Sequence, residues 1–195
     1  MNDLRTHHIN KDAADLWLRF IAGDFNAYAS LYKDHVESMI LYGLKIKQDK
    51  DEVRDAIQDL FVELWHSKEN LKPVQLVSMY LLKALRYKLI KKEKNKIFSL
   101  KDEPDDLPGI GLEQPIEFFI LENEDRAYKL EKIRKAVQLL PKRQQEVINL
   151  RFYKGFSTEQ VAGIMAINYQ SATNLLHKAV QFLRQYMRVI AFFGL

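Results

Sequence analysis

Residues 102–116, Asp-Glu-Pro-Asp-Asp-Leu-Pro-Gly-Ile-Gly-Leu-Glu-Gln-Pro-Ile, hold three of the five prolines and two of the seven glycines in a chain of 195 residues. No helical or strand pattern survives such a run, so it reads as a linker. The chain must therefore fold on either side of it, as two small units with separate cores. Glycine and proline are scarce elsewhere, which argues against turn-rich sandwiches and barrels. No segment alternates apolar and polar residues long enough to make a strand. The expected fold class is all-α: two small helical domains joined by an acidic linker, without internal repeats.

On the N-terminal side the pattern predicts helices over 11–22 and 24–46, divided by Gly23-Asp24 with Asp24 as N-cap. A third covers about 50–66. Val53, Ile57, Leu60, Phe61, Leu64 and Trp65 form its apolar stripe. A fourth starts near Pro73, which suits a first helical turn, and runs to about Asn95. On the C-terminal side helices are expected over 117–139, from Pro141 to about Tyr153 where Gly155 breaks the run, from Ser157 to about Ala166, and from Tyr169 to about Val189. Ser157-Thr158-Glu159-Gln160 is a capping-box pattern, and Ile167-Asn168 is a turn.

The net charge of +4 conceals an alternation along the chain. Residues 1–67 are net −4, 68–101 net +8, 102–125 net −9 and 126–195 net +9. Two basic blocks separated by an acidic one suggest two contacts with a polyanion, although solvated helix faces produce charge runs as well.

The last two helices with their tight turn make a helix-turn-helix candidate, whose second helix enters the major groove of DNA. Ala172, Leu175, Leu176, Ala179 and Leu183 fall on one stripe of that helix, and Gln170, Thr173, Asn174, His177 and Gln181 on the opposite one. Lys178 and Arg184 flank it, within reach of phosphates. Gln and Asn pair bidentately with adenine, and Thr contacts the thymine methyl. In the helix over 73–95, Tyr80, Lys83, Tyr87, Lys91 and Lys94 share a face, with Arg86, Lys88, Lys92 and Lys96 beside it. Rings interleaved with cations suit single-stranded nucleic acid, which stacks on the rings. The same pattern also fits core tyrosines and lysines that only solvate the helix. Glu52, Asp55, Asp59 and Glu63 line one face of the third helix. That face is wrong for DNA and suits a basic protein partner, or simply solvent.

Two groups of residues resemble a known family. Asp55-Ala-Ile-Gln58-Asp59-Leu-Phe61-Val-Glu63-Leu-Trp65, followed by Tyr80-Leu-Leu-Lys83-Ala-Leu-Arg86, resembles the second conserved region of bacterial sigma factors. Leu140-Pro141-Lys-Arg-Gln-Gln-Glu146-Val-Ile-Asn-Leu150-Arg151-Phe, then Gly155-Phe-Ser157-Thr-Glu159-Gln-Val161-Ala162 and the last helix, resembles their fourth region. Two such regions and a short linker are the layout of the extracytoplasmic-function group (group IV). Asn168-Tyr-Gln-Ser-Ala-Thr-Asn-Leu is similar to the recognition-helix start of its Bacteroidetes branch.

The resemblance implies a promoter-recognition factor for RNA polymerase, with three domain-level parts. Residues 1–97 would bind core polymerase and the −10 element, 98–125 would be the linker, and 126–195 would bind the −35 element. It assigns Asp55, Gln58, Asp59, Glu63 and Trp65 to core polymerase, and Tyr80, Lys83, Arg86, Tyr87 and Lys91 to the −10 element. Tyr169, Gln170, Ser171, Thr173, Asn174, His177, Lys178 and Gln181 fall to the −35 element. The position of Tyr87 is often Asn in this family, Lys91 stands where Asp or Asn is common, and Thr173 and Leu175 replace frequent basic residues. By family analogy alone, an anti-sigma factor is a further partner.

No catalytic residue, metal site or cofactor is expected. Cysteine is absent, which removes thiolate chemistry and suits a cytoplasmic protein. No apolar run approaches the roughly 18 residues of a membrane span, and the first residues lack a signal-peptide core. A helical nuclease holding Mg²⁺ through Asp102, Glu103, Asp105 and Asp106 is the enzyme alternative, but a Pro-rich linker gives those carboxylates no rigid frame. A regulator that binds operator DNA without polymerase is the other. The acidic and aromatic–basic helices of the N-terminal half speak against it.

Overall fold

The computed structural model describes residues 2–94 and 125–193, with side chains over 12–91 and 131–188. The linker at 102–116, with the four carboxylates just named, lies outside the described residues, as do residues 117–124 of the helix expected over 117–139. All regular structure among the described residues is helical. The chain divides into two compact units, one of Met1–Lys101 with Gly163–Ala166, carrying α1 to α4, and one of Asp102–Ala162 with Ile167–Leu195.

The first unit comprises α1 (Asn2–Ile21), α2 (Phe25–Ile46), α3 (Lys50–His66), a short 3₁₀ turn (Lys68–Asn70) and α4 (Val77–Lys94). α2 packs against α1, α3 and α4. The α1–α2 junction follows from two residues. Gly23 adopts φ +97°, so its N–H reaches Phe20 O at 2.9 Å while Asp24 N–H reaches Arg19 O at 3.0 Å. This closes α1 in a Schellman motif. Asp24 Oδ1 then accepts from the N–H groups of Asn26 and Ala27, capping α2, and its Oδ2 pairs with Arg19 at 2.6 Å.

The Arg19 hydrogen bond, more than any other contact, holds the Asp24 carboxyl below its ordinary value of 3.8. A depressed carboxyl stabilises the fold fully above its unfolded value. That contribution disappears as pH falls through the lower folded one. Asp24→Asn keeps an amide cap, so its thermal midpoint should fall less steeply than wild type below pH 3.8; melting curves across that range measure it.

α3 starts at the N-cap Asp49, whose Oδ1 accepts from Asp51 and Glu52 N–H at 2.9 and 3.0 Å. Of the stripe read from the sequence, Val53, Ile57, Leu60, Phe61 and Leu64 are buried and Trp65 is half-buried, and Ala56, outside that stripe, is buried beside them. α2 meets α3 closely at Gly43, where an added Cβ would lie 2.5 Å from Val53 Cγ1.

α4 begins at Val77 and not near Pro73. Trp17 Nε1 donates to the Lys72 carbonyl at 3.0 Å, which ties the segment before α4 to α1. The chain runs on without helix until the Leu76 carbonyl accepts from Tyr80 N–H at 3.1 Å.

After the linker come α5 (Asp125–Leu139), α6 (Lys142–Ile148), a π turn (Asn149–Tyr153), α7 (Thr158–Met165) and α8 (Tyr169–Phe193). α8 packs on α5 and α6. The single helix expected from Pro141 to Tyr153 is α-helical only to Ile148. Beyond it Lys154 N–H reaches Asn149 O at 3.0 Å and Phe156 N–H reaches Leu150 O at 3.1 Å, with Gly155 at φ +73°. The wider turn allows Leu150 and Phe156 both to be buried.

Candidate nucleic-acid interface

α7 is short and therefore depends on its ends. Ser157 Oγ accepts from Gln160 N–H at 3.3 Å, and Gln160 Oε1 accepts from Ser157 N–H at 2.8 Å, a reciprocal capping box. Glu159 receives the Ser157 hydroxyl at 2.8 Å. Its carboxyl lies below the ordinary value, through its own backbone N–H first and Ser157 next, with Arg151 adding a smaller charge effect. Arg151 itself donates to Phe156 O at 3.2 Å, a bond that ties the π turn to the start of α7.

The turn between α7 and α8 is closed by Ile167 N–H on Ala162 O at 3.1 Å, with Ala166 at φ +53°. Left-handed backbone costs a Cβ-bearing residue about 1–2 kcal/mol. Ala166→Gly should therefore raise stability by about 1 kcal/mol, measured by denaturant titration of the full chain. Asn168 Oδ1 accepts from Ser171 N–H at 2.7 Å and caps α8.

α8 divides as its sequence demands. Ala172, Leu175 and Ala179 are buried, and Leu176 and Leu183 are half-buried. Tyr169, Gln170, Lys178, Gln181 and Arg184 are exposed; Ser171, Thr173, Asn174 and His177 are half-buried. Thr173 Oγ1 donates to Tyr169 O at 3.0 Å, which leaves a lone pair and a methyl for any base. Gln170 Nε2 donates to Asn174 Oδ1 at 3.1 Å.

The α4 face separates into two. Tyr87 is 65% exposed, with Lys91 Nζ 5.6 Å from its ring centroid, and Lys83 is exposed nearby in sequence. Arg86 is half-buried and engaged within the chain. Tyr80 departs from the expected stacking face. It packs edge-on against Trp17, centroids 4.9 Å apart, and burial raises its hydroxyl above the ordinary value. The side chains of Lys92 and Lys94, and Lys96 entirely, lie outside the described residues.

On α3, Asp55, Gln58 and Asp59 are exposed, and Val62 joins them, 52% exposed. Sequence reading missed Val62; the signal was an apolar residue four places after Gln58 on an otherwise polar face. Glu63 reaches Lys88 of α4 at 2.6 Å, and the Lys88 side chain is only 16% exposed. Trp65 belongs to a different surface from the carboxylates. It sits in an aromatic cluster with Phe20, Phe25 and Tyr28, at 6.4, 5.5 and 5.1 Å, and Lys68 lies over its ring at 4.7 Å.

Among the described residues no cluster of three His, Asp or Glu side chains is arranged to hold a metal ion, and no helix is long and apolar enough to cross a membrane.

A capped short helix, a tight turn and a longer helix with one buried and one polar stripe define a helix-turn-helix DNA-binding unit. Residues 130–183 match the family described as Sigma-70, region 4. The fold is similar to that of CnrH, solved in complex with the cytosolic domain of CnrY, at 18% identity and a TM-score of 0.58 over 90% of this chain and 97% of that one. It is also similar to the sigma factor RpoE of Bartonella quintana, solved with the anti-sigma factor NepR, at 16% identity and a TM-score of 0.55 over 83% and 97%. No curated protein matches the chain in sequence. The family match thus covers residues 130–183, and the fold over most of the chain is similar to that of CnrH and RpoE.

Proposed function

We propose that this protein is an extracytoplasmic-function sigma factor that binds core RNA polymerase, recognises −10 and −35 promoter elements and directs transcription initiation. The observation that carries this reading is the region 4 match over 130–183, on a helix-turn-helix whose polar stripe is free of the hydrophobic packing beneath it. The protein acts by binding and not by catalysis, in the cytoplasm where polymerase and promoter are.

Residues 1–97 form the polymerase and −10 domain, 98–125 the linker, and 126–195 the −35 domain. Asp55, Gln58, Asp59 and Glu63 face the polymerase, and Trp65 supports their helix from the aromatic cluster. Lys83, Arg86, Tyr87 and Lys91 meet the −10 element, with Tyr80 anchoring α4 beneath them. Tyr169, Gln170, Ser171, Thr173, Asn174, His177, Lys178 and Gln181 meet the −35 element. The complex of RpoE with the anti-sigma factor NepR supports a regulatory partner of that kind here.

Full-length protein added to purified core polymerase should yield a stable complex and start transcription at discrete sites on genomic fragments. Absence of a complex on size-exclusion chromatography would remove the sigma assignment and leave an operator-binding regulator.

A further inference from the structure

The hydrogen bonds of α8 treat the two amides of its polar stripe unequally. Gln170 is the second residue of the helix and exposed, whereas Asn174, one turn later, is half-buried. Gln170 Nε2 donates to Asn174 Oδ1 at 3.1 Å. Gln170 Oε1 accepts from no group among the described residues, while Asn174 makes a further interaction within the chain.

An amide nitrogen carries two hydrogens and its carbonyl two lone pairs. Donation to Asn174 spends one hydrogen of Gln170. One donor and one acceptor remain on the same planar group. Adenine presents their complement in the major groove: N6–H₂ donates to Oε1 and N7 accepts from Nε2. The amide is also placed where base contact takes place, since the first turn of a recognition helix meets the base edges. Asn174 has less of this freedom, because it serves Gln170, makes a further interaction within the chain and is half-buried.

Resting on the reading of α8 as the −35 helix, we propose that Gln170 reads one adenine of the upstream element and that Asn174 is a positioning residue, holding the Gln170 amide for that contact. Two independent amide readers would specify two base pairs. A braced pair specifies one, and the contribution of Asn174 passes entirely through Gln170. The brace asks only for an acceptor at position 174, so a carboxylate there serves as well as an amide. The added negative charge beside DNA then weakens all sequences alike without moving the preference.

The test uses the full-length protein with core polymerase, selected on promoter duplexes randomised across the upstream element, with base preference read at every position. Wild type should favour adenine at one position by about fivefold to 150-fold, the range of a bidentate pair. Gln170→Ala should flatten that position and leave the others. Asn174→Ala should weaken the same preference severalfold without changing its base, and Asn174→Asp should restore it at lower overall affinity. The proposal is overturned if Gln170→Ala leaves the profile intact, if Asn174→Ala alters a different position, or if Asn174→Asp behaves as Asn174→Ala does. Thr173→Ala and Lys178→Ala separate this from the larger reading. If these two shift upstream binding and Gln170→Ala does not, the adenine assignment alone fails. If no α8 substitution matters, the −35 reading fails with it. Circular dichroism melts of each variant confirm that the second unit is folded.

Discussion

Replacing Trp17 with Ala should cost the first unit about 3–5 kcal/mol, the usual loss for a large aromatic taken out of a packed core. Trp17 is only 1% exposed. Its ring meets Phe20 and Tyr80 edge-on at 5.3 and 4.9 Å, so one side chain fastens α1 to the start of α4. Its indole N–H also satisfies the Lys72 carbonyl, and Ala would leave that carbonyl without its partner. A domain of this size loses about 4–8 °C per kcal/mol, so its melting transition should fall by more than about 12 °C. Trp17→Phe separates the two causes. It keeps most of the ring and drops the donor, and should cost about 1–2 kcal/mol. Thermal and denaturant unfolding of the full chain give both numbers. Equal losses in the two variants would mean that the hydrogen bond, and not the ring, carries the effect.

The same residue explains a limit of the sequence reading. Helical period identifies faces, and it did so correctly for α3, whose buried stripe and Asp49-capped start are local properties. Period does not say how far along a helix its neighbour reaches. Tyr80 and Tyr87 share a face of α4, yet Tyr80 is held against Trp17 of α1 while Tyr87 stands 65% exposed. Pro73 is a good local signal for a helix start, yet α4 begins at Val77, and the Lys72 carbonyl ahead of it is held to α1 by Trp17, a tertiary contact and not a local one. The π turn after Ile148 depends on Leu150 and Phe156 both finding the core, which no local pattern announces. The helix-turn-helix was more legible. Its capping box, its turn and the division of α8 into two stripes are short-range features, and each is written in consecutive residues. What stayed hidden there is the pairing of Gln170 with Asn174, since a list of polar residues does not say which bind each other.

An ion pair ties the carboxylate stripe of α3 to α4. Glu63 lies on the carboxylate side of α3 and Lys88 on α4, 2.6 Å apart, with Lys88 largely covered. Glu63 is therefore the member of the acidic stripe most committed to the fold. Reversing its charge would set two cations together and disturb how α4 sits, which would confound any binding measurement. Asp55 and Asp59, both exposed on the same stripe, are the better probes of the partner.

Asp55→Lys with Asp59→Lys should reduce affinity for core polymerase by at least about 100-fold, because like charges brought together at an interface cost several kcal/mol. The fold should barely respond. Exposed substitutions on a helix face usually change stability by no more than about 0.5 kcal/mol, to which Asp59 adds the loss of an interaction it makes within the chain. Unchanged circular dichroism and melting would establish that the double variant is folded. Glu37→Lys, exposed on α2 and away from the stripe, controls for charge alone. Titrating labelled full-length protein with core polymerase at two salt concentrations gives the answer in two parts. Wild-type affinity should fall as salt screens the carboxylates, and the double variant should have lost most of that dependence along with its affinity. A double variant that bound core polymerase like wild type would take α3 out of the interface and leave the acidic stripe as a solvated surface.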